Sequence, residues 1–224
     1  MIDPRSARVL AATSVIDHRH PLVRETTRQL IDGQSTPADR VTTLFEWVRD
    51  EIAYDMAPDL SDRRSWRASD TIDRGWAFCQ QKAVLLTAMA RAAGVPAVVA
   101  YQSVIEHRLP DRFDVYLPEK RMRPHGLSAV WIDGRWQQLD PSLHREMCDR
   151  RGLQVVEWVP GEDALLPQLD RGGQPHCTIE EDLGMYDDLP DHIVAATMAL
   201  SFLHTEEFRS EVRGRRRSEF RSGG

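Results

Sequence analysis

The chain has 224 residues, with 29 Lys and Arg against 35 Asp and Glu, a net charge of −6, and 41% hydrophobic residues. A chain of this length can bury a core without disulfides or a structural metal, and its acidic balance argues against a general nucleic-acid binder whose surface must meet phosphate. Cys79, Cys148 and Cys177 form no C-x-x-C pair, so neither a disulfide framework nor a zinc knuckle is indicated, and a reducing compartment is expected.

The opening MIDPRSARVLAATS carries an acid and a proline and no apolar run of signal-peptide length, and no stretch reaches membrane-spanning length, so a cytoplasmic chain that avoids membranes is predicted. Pro21 to Asp32 places Leu22, Val23, Thr26, Leu30 and Ile31 at helical spacing before Gly33 stops it. A second helix starts where Thr36 can cap and Pro37 can take the first helical position, with Val41, Leu44, Phe45, Val48 and Ile52 on one face. Ala57 to Ser69 has no periodicity and reads as loop, with a short helical turn before Gly75. From Phe78 to Ala93 the apolar residues Ala83 to Leu86 and Ala88 to Ala90 run almost all round a helix, which predicts burial, and Gly94 supplies the stop.

The period then changes. Pro96 to Val104 reads as a strand, and Leu127–Ile132 and Arg135–Leu139 flank Asp133-Gly134, a strong hairpin signal. Helices followed by an antiparallel sheet predict an α+β fold. Beyond Pro141 the pattern weakens: Leu153 to Val159 reads as a further strand, Gly161 to Tyr186 as mostly loop, and Asp191 to Phe208 as a final helix. Residues 1–208 read as one domain with a core at about 36–142, and 209–224, with six Arg against Glu211 and Glu219, as a basic disordered tail.

Cys79 stands just inside the N-terminal turn of the buried helix, where unpaired N–H groups and the helix dipole favour thiolate. Taken alone, a cysteine at a helix start is more often a packing residue. The hairpin adds a second observation. With a two-residue loop, Ile132 pairs with Arg135, Leu127 comes to face Asp140, and His125 becomes the diagonal neighbour of Asp140, within reach of an imidazole–carboxylate hydrogen bond. A three-residue loop would slip the register and lose that pairing, leaving a surface His near an Asp-Pro turn.

The run Gly75-Trp76-Ala77-Phe78-Cys79-Gln80-Gln81-Lys82, followed by Leu85-Leu86 and Arg91-Ala92-Ala93-Gly94-Val95-Pro96, resembles the nucleophile segment of the bacterial transglutaminase-like (papain-like) cysteine enzymes. Downstream, His125 to Val130, Gly134-Arg135-Trp136 and Leu139-Asp140-Pro141 resemble that family's His and Asp strands, and upstream Phe45 to Tyr54 resembles its preceding helix. The similarity spans about residues 9–142. It implies a transglutaminase-like fold in which N-terminal helices and a buried nucleophile helix pack on an antiparallel sheet. It also implies acyl transfer through a thioester, with Cys79 as nucleophile, His125 as general acid and base, and Asp140 as its orienter. Gly126-Leu127 departs from the aromatic that many members carry after the His.

A hydrolase of amides or esters with peptidase or amidase character is expected; an acyltransferase with an amine acceptor and an inactive scaffold retaining the fold are the alternatives. Side-chain candidates for oxyanion or substrate binding are Trp66, Trp76, Tyr54 and Lys82, although the last, three positions on along the helix, reads first as a tether for a loop. No cofactor or metal is expected: His144, Cys148, His176 and Cys177 lack ligand spacing apart from His144 and Cys148 at i, i+4. The acidic stretch Glu180, Glu181, Asp182, Asp187, Asp188 and Asp191 lacks the spacing of a calcium loop and reads as solvated. The expected partner is a peptide or small-molecule substrate, with no nucleic acid. Lys82 and Lys120 are the only lysines, so the chain is a poor amine donor to its own acyl-enzyme.

Overall fold

A computed structural model describes residues 2–56, 60, 62–114 and 116–200; the predicted tail at 209–224 and the end of the last predicted helix, 201–208, lie outside the described residues. Helix α1 covers Pro21–Leu30 and α2 covers Pro37–Glu51. At the start of α2, Pro37 occupies the first turn and Thr36 Oγ1 accepts the Asp39 backbone N–H at 3.1 Å, while Val41, Leu44, Phe45 and Val48 are buried on one face. Strand β1 (Ala53–Tyr54) follows directly. The predicted loop resolves into a 3-10 turn at Arg63–Trp66 and helix α3 (Ala68–Arg74), which ends at Gly75 with φ of 72°, a left-handed conformation that favours glycine. Strand β2 (Trp76–Ala77) pairs in parallel with β1 and leads into α4 (Cys79–Ala92).

Helix α4 is buried from Cys79 through Arg91, as its nearly continuous apolar pattern requires. Helices α1, α2 and α3 pack on it from one side and the sheet from the other. That sheet runs in the order β5-β4-β3-β6, antiparallel throughout, from β3 (Ala97–Glu106), β4 (Arg121–Ile132), β5 (Arg135–Leu139) and β6 (Cys177–Tyr186). Val99 and Tyr101 of β3 join the main core beneath the helices, whereas Val98 and Ala100 join a smaller cluster with Val9, Leu127 and Ala129. Burial on both faces is why this strand reads as an unbroken apolar run. The hairpin turn has positive φ at both Asp133 (52°) and Gly134 (80°), the geometry of a two-residue loop, and the register runs from Ile132↔Arg135 to Ser128↔Leu139.

The C-terminal third differs from its sequence reading. No strand forms over Leu153 to Val159: Leu153, Val156 and Trp158 are buried, but the backbone finds other partners. Leu153 N–H donates to the Cys148 carbonyl at the end of α5 (Arg145–Arg151), and the Val156 carbonyl accepts from Arg49 Nη1 at 2.7 Å. Conversely, β6 lies where loop was predicted. Thr178 to Asp182 are exposed, so no apolar alternation signals the strand; its ladder with β3 also shifts register twice. The acidic residues Glu180 and Glu181 stay at the solvent surface, ion-paired with Arg121 and Arg123 of β4. Helix α6 covers Asp191–Met198, shorter than the predicted Asp191 to Phe208, and packs against β4.

Candidate active site

Helix α4 begins without a side-chain cap. Phe78 occupies the capping position and offers the first-turn N–H groups no acceptor, so Cys79 sits at an open, positively polarised helix end. Gln81 instead secures the entering chain: its Oε1 accepts from Phe78 N–H at 3.3 Å and its Nε2 donates to the Ser65 carbonyl at 2.6 Å. The thiol is 4% exposed. The β1–β2 pairing brings Tyr54 alongside this segment, with Asp55 N–H on the Ala77 carbonyl and Tyr54 N–H donating to His144 Nδ1 at 3.2 Å. That bond needs a neutral imidazole at His144, whose pKa burial and the nearby Lys82 ammonium lower to about 4.

His125 Nε2 lies 2.6 Å from Asp140 Oδ2, and both residues are buried. The diagonal placement follows from the observed hairpin register, since Ser128↔Leu139 is the last pair before the chain turns away at Pro141. Asp140 is itself fixed, its Oδ1 accepting the Ser142 N–H at 2.9 Å and its own N–H donating to the Ala164 carbonyl at 2.8 Å. Burial works against the imidazolium, but the charges of Asp140 and Cys79 outweigh it and raise the His125 pKa well above 6.5. Burial likewise works against the Asp140 carboxylate; His125 and Ser142 outweigh it and hold the carboxyl below its usual range. With Nε2 committed to Asp140, Nδ1 has no hydrogen-bond partner among the described residues and is the ring nitrogen left for the Cys79 sulfur, whose charge acts on it.

Gly126 explains how β4 and α4 come this close. A Cβ at this position would lie 2.6 Å from Gln80 Cα, a contact no side chain sustains. The absence of an aromatic after His125 is therefore a packing requirement of this chain.

Cys79 lines a narrow cleft of about 40 Å3, well under the roughly 300–1,000 Å3 common to small-ligand sites. Its apolar lining includes Met56, Phe78, Leu117, Met122 and Leu200, and Tyr54 and Thr197 add hydroxyls. Arg123 is the charged residue of the lining among the described residues. Of the four side-chain candidates, the structure brings only Tyr54 to this cleft. Its phenol is kept protonated by burial and by the charges of Cys79 and Glu106, which raise its pKa well above 10. Trp66 is instead buried edge-on against Phe78 at 5.6 Å, and Trp76 lies beneath the Arg74 guanidinium. Lys82 is fully buried with its ammonium on the Arg49 and Ile52 carbonyls at 2.9 and 2.7 Å, so it ties down the end of α2 and reaches no substrate. Sequence reasoning passed over Tyr101, whose buried hydroxyl has no hydrogen-bond partner among the described residues and whose pKa burial and the Cys79 charge raise. It also passed over Gln80 and Thr197, whose pairing joins residues 117 positions apart and leaves no local signal. Among the described residues no cluster of three or more metal-ligating side chains occurs, and no helix is long and apolar enough to cross a membrane.

The model of the Transglutaminase-like superfamily matches residues 24–141, more than half of the chain. Among solved structures, a candidate cysteine protease from Cytophaga hutchinsonii is 15% identical with a TM-score of 0.49, the match covering 83% of this chain and 55% of that one. The periplasmic domain of TgpA from Pseudomonas aeruginosa is 23% identical with a TM-score of 0.45, covering 62% of this chain and 48% of that one. This chain thus spans about half the length of these two structures. No curated protein matches it.

Proposed function

The chain belongs to the transglutaminase-like superfamily, and on that premise we propose that it is a cysteine-dependent acyl-transfer enzyme acting on an amide or ester, in the first place a hydrolase. The observation that carries this reading is the buried His125–Asp140 hydrogen bond of 2.6 Å beside a cysteine at an uncapped helix N-terminus. Asp140 fixes the ring and favours its protonated form, so the imidazolium and the helix end both set positive charge beside the Cys79 sulfur. The sulfur attacks the substrate carbonyl carbon, a C–S bond forms, and the π electrons move onto oxygen. To that oxyanion we assign as donors the Cys79 backbone N–H, which as a first-turn group has no intrahelical acceptor, and the hydroxyl of the cleft-lining Tyr54. Collapse expels the amine or alcohol, which takes its proton from His125. The neutral imidazole then deprotonates water, whose attack on the thioester breaks the C–S bond, releases the acid and restores the thiolate–imidazolium pair.

Transfer to an amine is the second reading, favoured by the apolar lining that limits water near a thioester. The acceptor is not a lysine of the same chain, since Lys82 is buried and Lys120 is held on Asp111 at 2.8 Å. Three unpaired cysteines fit a reducing compartment, and we place the protein in the cytoplasm on that ground.

The test is acyl-enzyme trapping. Incubation with a p-nitrophenyl ester is expected to add one acyl mass at the Cys79 peptide, absent in Cys79→Ala, and His125→Ala is expected to slow alkylation by iodoacetamide at pH 7. Full activity in Cys79→Ala, or unchanged alkylation in His125→Ala, overturns the assignment. A product shift from acid to amide on adding a primary amine selects the second reading.

A further inference from the structure

We propose that Gln80 is a positioning residue that sets the Cys79–His125 geometry, and that Thr197 of α6 anchors it and so belongs to the same device. The inference rests on the reading of Cys79 and His125 as nucleophile and acid-base. Gln80 directly follows the nucleophile and holds the residues on both sides of His125. Its Nε2 donates to the Pro124 carbonyl at 2.9 Å, and its Cα packs so closely on Gly126 that only a hydrogen fits there. The sulfur and the ring therefore cannot separate without breaking this grip.

The other Nε2 proton goes to Thr197 Oγ1 at 2.8 Å. A hydroxyl has one proton to give, and Thr197 has two acceptors within reach, the Ile193 carbonyl at 2.9 Å and Gln80 Oε1 at 3.2 Å. Both side chains are buried, 1% and 0% exposed, and a buried amide is tolerated only when its donors are paired. The network consequently selects a single Gln80 rotamer. Thr197 lies well beyond residue 141, where the family match ends, yet it lines the same cleft as Cys79. Helix α6 is thus a working wall of the site.

The test uses the full chain with Gln80→Leu, Thr197→Val and Thr197→Ser, each checked for folding by circular dichroism and thermal melting. The readouts are the pH profile of Cys79 alkylation by iodoacetamide from pH 5 to 9, and kcat and KM on a p-nitrophenyl ester. Gln80→Leu is expected to lower alkylation at pH 6 by about tenfold and kcat by a similar factor, with KM within about twofold. Thr197→Val is expected to give a roughly threefold to tenfold loss that Thr197→Ser restores. A folded Gln80→Leu with the wild-type pH profile and kcat overturns the proposal. If Gln80→Leu does not fold, Thr197→Val decides: a wild-type profile overturns the proposal, and a loss rescued by Ser supports it. His125→Ala separates the two levels. If it matches the wild type, the cysteine-enzyme reading fails; if it differs while the Gln80 and Thr197 variants do not, only the positioning role fails.

Discussion

Replacing Gly126 by Ala perturbs the crossing of β4 and α4 by a single methyl group. The added Cβ would meet Gln80 Cα at 2.6 Å, Cγ at 2.9 Å and Cβ at 3.1 Å. Carbon atoms rest about 3.5–4.0 Å apart, so relief of the backbone contact needs a movement of about 1 Å between strand and helix. The Gln80 side chain can turn away, but its Cα is carried by a helix buried on all sides. Overpacking of this kind costs about 1–3 kcal/mol, which for a domain of this size lowers Tm by roughly 2–12 °C. The chemical cost is larger. His125 is adjacent to the displaced residue, and a misplacement of about 1 Å in a reacting constellation loses on the order of 10²-fold. The assay is nitrophenolate release from a p-nitrophenyl ester, measured well below the melting temperature with circular dichroism on the same sample. A folded Gly126→Ala that retains wild-type turnover refutes the claim that this contact sets the distance between Cys79 and His125.

Asp140→Asn removes the charge that favours the imidazolium, and turnover is expected to fall by about 10²–10⁴-fold while the protein stays folded; wild-type turnover in a folded variant removes Asp140 from the mechanism. His144 and His176 both have folded pKa values lowered to about 4, so the unfolded chain takes up their protons first as pH falls below 6.5. Stability is therefore lost between about pH 6.5 and 4, by about 2 kcal/mol for each His on going from pH 7 to 5; urea denaturation at the two pH values checks this, with His176→Gln expected to lose about half of the slope. Lys82 has the opposite window. Its folded pKa near 7 lies below its ordinary 10.5, so its burial penalty is full below pH 7 and is relieved as pH rises toward 10.5. Relative to Lys82→Met, the wild type should gain about 2 kcal/mol between pH 7 and 9, and parallel pH dependences for the two proteins would contradict the lowered pKa of Lys82.

The parts legible in the sequence were those written in local pattern. Thr36-Pro37 announced α2, the apolar run announced α4, and Asp133-Gly134 set a register that carried His125 to Asp140. The strand β6 was hidden because an exposed edge strand needs no apolar face, only backbone partners, and its acidic residues read as loop. Leu153 to Val159 misled in the reverse sense: its apolar residues read as a strand, but Arg49 took the Val156 backbone carbonyl that a neighbouring strand would have used. Trp66 and Trp76 were chosen as cleft candidates for chemistry alone, and tertiary packing on Phe78 and Arg74 placed them elsewhere.

The division between what was and was not legible follows the division of labour proposed for the site. Cys79, His125 and Asp140 come from α4, β4 and the end of β5, all within the stretch matched by the family, and the β4–β5 register brings the last two together. Thr197 and Leu200 also line the cleft, and they are reached only after the edge strand β6, in α6 and just past its end. A substitution just beyond α6 that leaves Thr197 and its bond to Gln80 in place can therefore reshape the cleft without touching the three reacting groups. Exchanging Leu200 for a larger or smaller apolar residue is expected to move KM among p-nitrophenyl esters of different acyl length while leaving the pH profile of Cys79 alkylation unchanged. A shift in that profile would instead mean that α6 acts on the chemistry through more than the Gln80–Thr197 contact.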